Sequence, residues 1–502
     1  MKLLMYKQIV LFILLFFIGG LACEKCAGQT NRPNVVMLVV DDWNDMIAAF
    51  GNRHIETPNI DKLCARGVRF VNNHTSATYC TPSRTALMTG VAPWKSGCYA
   101  DQPHHYNMPN RKTIPMLFQE NGYSVLGGGK IYHHMPGYLD LKGFDEYFHW
   151  DAKQKKRGWG LNAWEDNLAA PKEMPASEFG KKVYANFDIK ALPNHLEAEM
   201  ADTKVCNWAI DQINKKHEKP FFIAVGIYAP HKPNYAPLKY FDKYPLDSIN
   251  IPAVKEHDEK DLPPLVQKII QRKSKHTHNK LIAIDNGWKK AVQGYMACIS
   301  YADAQLGRVL EALENSPHAN NTIVLFWSDN GYQLGEKKCW AKHTLWERTT
   351  NVPLIWAGPG IAKNKAYNEV TSLLDIYPTL IEMCNLKNDP AQDGESIVRE
   401  LKYPEKLRER MVITADKKGD SFSVFTSKWH YIQYKNGKAE ELYNVIEDPQ
   451  EWENLAMHHQ YAHVKKELAK AVPVNPAAPA VTKKQLRLKL DGEKFEWKKR
   501  EK

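Results

Sequence analysis

The sequence predicts an α/β fold: a large, mixed and mostly parallel sheet flanked by helices, followed by a smaller antiparallel sheet. Three observations carry it. A continuous valine-rich run, NVVMLVV at residues 34–40, stops abruptly at Asp41 and Asp42, as expected of a strand buried on both faces of a parallel sheet. Similar runs alternate along the chain with stretches of helical apolar spacing. After about residue 385 the texture changes to short alternating segments.

Taken in order, TPNIDKLCARGVRF reads as a helix with Thr57 or Asn59 near its cap and Gly67 at its end. SVLGGGK and PFFIAVGIY are further buried strands. ISYADAQLGRVLEALE has helical spacing and leads into the strand TIVLFW. Beyond 385, MVITAD, FSVFTS, WHYIQY and AEELYNV read as strands, with Asn436-Gly437 a hairpin signal between the last two. The polar stretches 151–200 and 255–290 read as loop-rich insertions at the rim of a site. The expected organisation is a leader at 1–22, a main domain over 31–385, a smaller α+β unit over 386–470 and a basic tail over 471–502.

The leader is Lys2 and Lys7 ahead of IVLFILLFFIGGLA, the length of a signal-peptide core and too short for a membrane span. Export is therefore expected, with Cys23 as an alternative lipoprotein cysteine. Seven cysteines remain after Cys23 and Cys26, an odd and scattered set unlike a disulfide framework. The net charge of +11 favours an anionic partner. Much of that excess lies in the C-terminal KKQLRLKLDGEKFEWKKREK, expected to be solvated. Zinc-finger spacing and RNP-like aromatic boxes are missing, so nucleic acid is not expected and an acidic polysaccharide fits better.

Two strand ends are acidic. Asp41 and Asp42 follow the first strand, while Asp329 and Asn330 follow TIVLFWS. Adjacent carboxylates repel unless a cation lies between them, and the C-terminal edge of a parallel sheet is where α/β sites gather ligands. Four hard oxygen donors suit Ca²⁺ or Mg²⁺. Taken singly, either pair also suits a turn or a helix cap.

The segment CTPSRTALMTG, with Cys80, Pro82, Ser83, Arg84, Thr89 and Gly90, resembles the signature of the type I sulfatases. VDDWND, GGGKIYHH, PFFIAVGIYAPHKP, FWSDNGYQLGEKKCWAKH and ELYNVIEDPQEWENL extend the resemblance over roughly 33–456, closest to the iduronate-2-sulfatase group. The resemblance implies an alkaline-phosphatase-like fold and oxidation of Cys80 to formylglycine by a formylglycine-generating or sulfatase-maturating enzyme. It implies Ca²⁺ held by Asp41, Asp42, Asp329 and Asn330, with the modified Cys80 completing the set. A hydrated aldehyde has two hydroxyls on one carbon, one to attack sulfur and one to expel sulfate later. Arg84 would stabilise its alkoxide form, and Lys130 and Lys342 would supply positive charge to the sulfate. His133 would take a proton from the second hydroxyl and His231 would protonate the departing sugar oxygen. His343 and Tyr332 are expected to touch substrate, with His134 a weaker candidate and Trp340, His104 and His105 at the rim.

The expected function is hydrolysis of a sulfate ester on a sulfated polysaccharide or oligosaccharide, most specifically the 2-O-sulfate of an iduronate-type sugar in a glycosaminoglycan or ulvan-like chain. A phosphoesterase or phosphonate monoester hydrolase on the same core is one alternative. An inactive carbohydrate-binding protein on this fold is another.

Overall fold

In a computed structural model of the chain, residues 32–148, 176–184, 187–387, 392–491 and 494–500 are described. The leader, Cys23 and most of the 151–200 insertion lie outside them. The elements that build the main layer are, in chain order, strand β1 (Asn34–Asp41), helix α1 (Pro58–Arg66), strand β2 (Gly67–Phe70), helix α2 (Cys80–Thr89), strands β3 (Ser124–Gly129) and β4 (Glu146–Phe148), helix α3 (Ala201–Ile213), strand β5 (Phe221–Pro230), helices α4 (Pro264–Lys273) and α5 (Gly287–Glu314), and strands β6 (Thr322–Ser328), β7 (Leu354–Ala357) and β8 (Lys365–Tyr367).

These eight strands form one sheet in the order β8-β2-β7-β6-β1-β5-β3-β4. β1 pairs in parallel with both β5 and β6, and β3 with β5 and β4. Only β7 runs against its neighbours β6 and β2. The run that marked β1 is buried on both faces as its composition requires. Val36, Leu38 and Val40 face the core made with α1, α3 and α5, including Ile60, Val205 and Leu306. Val35, Met37 and Val39 face the opposite core with Leu87, Ile376 and Leu380.

Helix α1 begins at Pro58 behind Thr57, where a fixed φ and a missing N–H cost nothing. It ends at Gly67, but the chain does not loop there. Gly67 is already the first residue of β2, paired with Ala357, and a Cβ on it would meet the Trp356 carbonyl oxygen at 1.9 Å. A second glycine contact places a site residue. Gly129 has φ +77, and its Cβ would meet the Gly226 carbonyl at 1.9 Å, so β3 and β5 close tightly where Lys130 N donates to Gly226 O at 2.8 Å.

The second sheet is antiparallel, with strands β9 (Val412–Ala415), β10 (Phe422–Phe425), β11 (Trp429–Tyr434) and β12 (Ala439–Asn444). Its last hairpin turns through Lys435, Asn436 and Gly437, all with positive φ, as Asn-Gly indicated. β9 docks on the segment just ahead of Cys80: Ala415 N donates to Ser76 O at 3.0 Å, and Ala77 bridges Ala415. Helix α6 (Ala462–Ala469) covers the sheet through Leu468.

Two expectations need correction. The 255–290 stretch is largely helical, with α4, a π-helical turn over Ser274–His278 and a helical turn over Asn279–Ile282. The buried Val266 and Ile270, one turn apart, anchor α4 through a face that its lysines disguise. The basic tail is not merely solvated. Strands β13 (Leu486–Asp491) and β14 (Lys494–Lys499) pair as a hairpin. Leu486 and Trp497 are buried against Tyr138, and Trp497 Nε1 donates to Gly137 O at 2.7 Å. The segment before it runs along residues 94–101, with Ala480 N donating to Gly97 O at 2.8 Å. Among the described residues no helix is long and apolar enough to cross a membrane.

Candidate active site

Four neighbouring parallel strands end at one place. β1 delivers Asp41 and Asp42, β6 leads into Asp329 and Asn330, β5 leads into His231, and β3 leads into Lys130 and His133. Where adjacent strands of such a sheet send their connections to opposite faces, a crevice forms beyond their carboxyl ends. Helix α2 points its first residue, Cys80, into this crevice.

Cys80 is fully buried. Its Sγ lies 3.3 Å from Asp41 Oδ1, 3.9 Å from Asp42 Oδ1 and 2.8 Å from Lys342 Nζ. Burial, reinforced by the charge of Asp329, pushes its thiol well above the usual range. The group is thus a protonated thiol, a weak nucleophile. Two residues of the same helix fasten it to β6: Ser83 Oγ donates to Asp329 O at 2.6 Å, and Arg84 Nε donates to Asp329 Oδ2 at 2.7 Å. Arg84 also donates to the carbonyls of Val40 (3.2 Å), Lys130 and Ile131 (3.1 Å). Its guanidinium therefore ties together the ends of β1, β3 and β6.

Three carboxylates face three cations. Lys130 Nζ pairs with Asp41 Oδ2, and Lys342 Nζ with Asp42 Oδ1 at 2.5 Å. Burial works against the charge on Lys342, but Asp42, Cys80 and Asp329 hold its ammonium well above the ordinary value. Burial and the charge of Lys342 pull Lys130 well down. Asp42 is raised by burial and by Asp329, while Arg84 leads the cations that keep Asp329 low against its own burial.

The donor set fits a hard divalent cation. Asn330 Nδ2 donates to Asp42 Oδ1 at 2.7 Å, whereas Asn330 Oδ1 and Asp42 Oδ2 are buried acceptors with no hydrogen bond. Orphaned buried oxygens are costly unless something positive lies against them. Ligand atoms of Asp41, Asp42, Cys80 and His231 all lie within 4.8 Å of one another. His231 joins this group although its sequence suggested only proton transfer. Asp329 is placed differently, since Oδ2 accepts from Arg84 and Oδ1 from the backbone N–H groups of Asp42 (3.2 Å) and Asn330 (2.9 Å).

The histidines line one side. His231 Nδ1 donates to Lys232 O at 2.5 Å, which leaves Nε2 facing Asp42 Oδ2 at 3.6 Å. Burial, then Lys342 and Lys130, holds this imidazole well below its ordinary value. His133 packs against His134 at 4.5 Å and Tyr79 at 5.8 Å, and its Nδ1 has no hydrogen-bond partner. Burial and His134, followed by Lys130 and Lys342, keep it neutral. His343 reaches solvent, its ring 5.0 Å from that of Tyr79. Surrounding protein atoms, then Lys273 and Lys342, lower it as well.

Tyr332, expected to touch substrate, and Trp340, His104 and His105, expected at the rim, are elsewhere. Tyr332 is buried and stacked at 5.0 Å on Tyr295 of α5, so its ring packs into the core and not along the crevice mouth. Trp340 is buried, with Nε1 donating to His278 Nδ1 at 3.1 Å. His104 is buried against Asp140 at 3.3 Å and stacks on Tyr132, while the half-buried His105 lies edge-on to Phe495 of the tail. Sequence reasoning missed Tyr79, Tyr228 and Asp202. Tyr228 sets its ring 4.9 Å from Lys130 Nζ. Asp202 accepts from Tyr228 N (2.7 Å) and Ala229 N (2.9 Å), fixing the strand end ahead of His231. No spacing in the sequence links Asp202 to that strand.

Comparison with known proteins shows the family to which the chain belongs. The family described as Sulfatase matches residues 33–386, and that described as N-sulphoglucosamine sulphohydrolase, C-terminal, matches 335–475. A sulfatase of Formosa agariphila is 37% identical over 90% of this chain and 89% of its own. Human iduronate 2-sulfatase is 31% identical over 66% of this chain and 60% of its own. Among solved structures, the phosphonate monoester hydrolase of Agrobacterium radiobacter superposes with a TM-score of 0.71 at 21% identity, covering 93% of this chain and 100% of that one. That last likeness speaks to the fold alone.

Proposed function

The chain belongs to the sulfatase family and is a sulfuric ester hydrolase, and on that premise we propose that it removes the 2-O-sulfate of an iduronate-type sugar in an anionic polysaccharide. Human iduronate 2-sulfatase among its relatives supports this sugar class. The observation that carries the mechanism is Cys80. It is buried, its burial holds the thiol well above the usual range, and it opens a helix beside Asp41, Asp42 and Lys342. A thiol so placed is a poor nucleophile, which favours its reading as the precursor of formylglycine, made by a maturating enzyme. Sγ then stands where an oxygen of the hydrated aldehyde belongs. That group would supply one hydroxyl to attack sulfur and a second through which sulfate leaves.

Asp41, Asp42 and Asn330 are the residues proposed to hold Ca²⁺, joined by Asp329 through a lone pair that Arg84 and the backbone N–H groups leave free, and the ion would polarise the sulfate oxygens and favour the ionised nucleophile. With three carboxylates already matched by Lys130, Lys342 and Arg84, a divalent ion leaves the crevice positive, as a sulfate ester requires. Lys342 and Lys130 bind sulfate oxygens in this reading. Arg84 acts by holding Asp329 and the strand ends in register. His133, neutral and with a free Nδ1, suits proton acceptance. His231 needs a proton to protonate the departing sugar oxygen, and a bound anion offsets the lysine charges that depress it. His343 contacts substrate at the mouth of the crevice. Export through the 1–22 leader completes the reading. Sulfate release from defined 2-O-sulfated uronate oligosaccharides tests it: release from these ahead of 6-O- and N-sulfated isomers supports the sugar assignment, and the reverse order overturns it.

A further inference from the structure

A cleft of about 410 Å³ opens beside the crevice, between α4 and the turn that joins β9 to β10. Its floor is apolar, formed by Val266, Leu345, Trp346 and Tyr434. Its walls are cationic. Lys268, Arg272 and Lys273 come from α4, and Lys417 and Lys418 come from the β9–β10 turn. The lining carboxylate, Asp416, is occupied within that turn, its Oδ1 accepting from Lys418 N at 3.1 Å and Asp420 N at 3.2 Å. Among the described residues, none of these five cations has a carboxylate within ion-pair distance. Lys435, also on the wall, is already paired with Asp420 at 2.7 Å.

The cleft continues the crevice. Lys273 Nζ donates to the carbonyl of Lys342, the residue whose Nζ lies 2.8 Å from Cys80 Sγ. His343, next in sequence, lines the cleft and packs against Tyr79. Five unpaired like charges around one apolar floor repel each other. Burial first, and then the charges of Lys417 and Arg272, lower Lys273 to about 8. A single small sulfate ester held at Cys80 leaves these charges without a partner.

Resting on the sulfatase reading above, we infer that this cleft is a subsite for the next sugar of a polyanionic chain, binding its carboxylate or sulfate while the neighbouring ester lies at Cys80. The ring of that sugar rests on the apolar floor and its anionic group meets the wall. The geometry makes oligosaccharides with anions on adjacent sugars better ligands than monosaccharides. It also makes their binding salt-dependent, since exposed charges at a rim are screened within about 10 Å at 0.1 M salt.

The test uses the mature protein, 4-nitrophenyl sulfate as a reporter with one anion, and two competitors: glucosamine 6-sulfate and a heparin-derived tetrasaccharide. The parent is expected to be inhibited by the tetrasaccharide at a concentration at least about tenfold lower than by the monosaccharide, with that ratio falling in high salt. Arg272→Glu/Lys418→Glu is expected to abolish the preference while leaving nitrophenyl sulfate turnover within about twofold. The same two competitors are titrated calorimetrically against both proteins. Loss of tetrasaccharide binding in the variant upholds the subsite even if no sulfate is released, an outcome that would overturn the sulfatase reading alone. Equal binding of both competitors by the parent, or a preference that survives the charge reversal, overturns the subsite.

Discussion

Asn330 turns its amide so that Nδ2 donates to Asp42 Oδ1 at 2.7 Å, while Asn330 Oδ1 and Asp42 Oδ2 stay buried without hydrogen-bond donors. Two strand ends 288 residues apart in sequence are thereby joined around a demand for positive charge. Chelation is expected to abolish activity and lower Tm, with Ca²⁺ restoring both better than Zn²⁺ because the donors are oxygens. At a hundredfold excess over its Kd the ion adds about 2.7 kcal/mol of stability. Asn330→Asp replaces the donor to Asp42 by a like charge, so the metal-free variant should melt lower and recover more steeply with Ca²⁺. Calorimetry across a Ca²⁺ series checks this. Full activity and an unchanged Tm after metal removal would rule the site out.

The roles proposed for His231 and His133 differ in what each proton is for. A sugar alkoxide leaves poorly without an acid, whereas nitrophenolate leaves readily. His231→Ala is therefore expected to lose about 10²-fold more kcat/KM on a sugar sulfate than on nitrophenyl sulfate. His133→Ala should give a single burst of alcohol and then stall with either substrate. Because His231 Nε2 also faces Asp42 Oδ2, Ca²⁺ affinity is measured on the same variant. Equal damage on both substrates with Ca²⁺ binding intact would remove His231 as the acid and bring His343 or Lys342 forward.

A pH effect is expected away from the site. Burial and the charge of Glu451 raise Glu347 from 4.5 to about 7. A carboxyl raised in the folded state binds more protons there than in the unfolded chain, so its contribution to stability falls as pH rises from about 4.5 to 7. Glu347→Gln removes that loss and keeps the oxygen that accepts from Asn351 Nδ2 at 2.7 Å. The variant should gain about 1–2 kcal/mol over the parent at pH 8 and little at pH 5, read as the difference in Tm. A gain independent of pH would refute this.

The centre of the fold was legible in the sequence because burial on both faces leaves no polar residue between Val35 and Val40 of β1, so the acids after Val40 stand out. Cys80 and its helix were legible through the family signature. The tail was misread because charge hides alternation: LRLKLD and KFEWKK each place apolar residues at every second position, and Leu486 and Trp497 are buried by them. Tyr332 and Trp340 looked like rim residues because polar ends near a motif suggest exposure, yet each ring found an aromatic or imidazole partner within the core. The cationic cleft could not be foreseen at all. Lys268 and Arg272 are separated from Lys417 and Lys418 by over a hundred residues, and only the docking of the second sheet beside α4 brings them together.

The most direct measurement concerns Cys80. Preparations with graded co-expression of a maturating enzyme are digested, and the fraction of the Cys80 peptide carrying an aldehyde is read by mass and by hydrazide capture. The same samples are assayed for sulfate release from nitrophenyl sulfate and for turnover of a phenyl phosphonate ester. The account predicts sulfate release proportional to the aldehyde fraction, none from Cys80→Ala, and a preference for the sulfate ester. Full activity from protein whose Cys80 remains a thiol would contradict it.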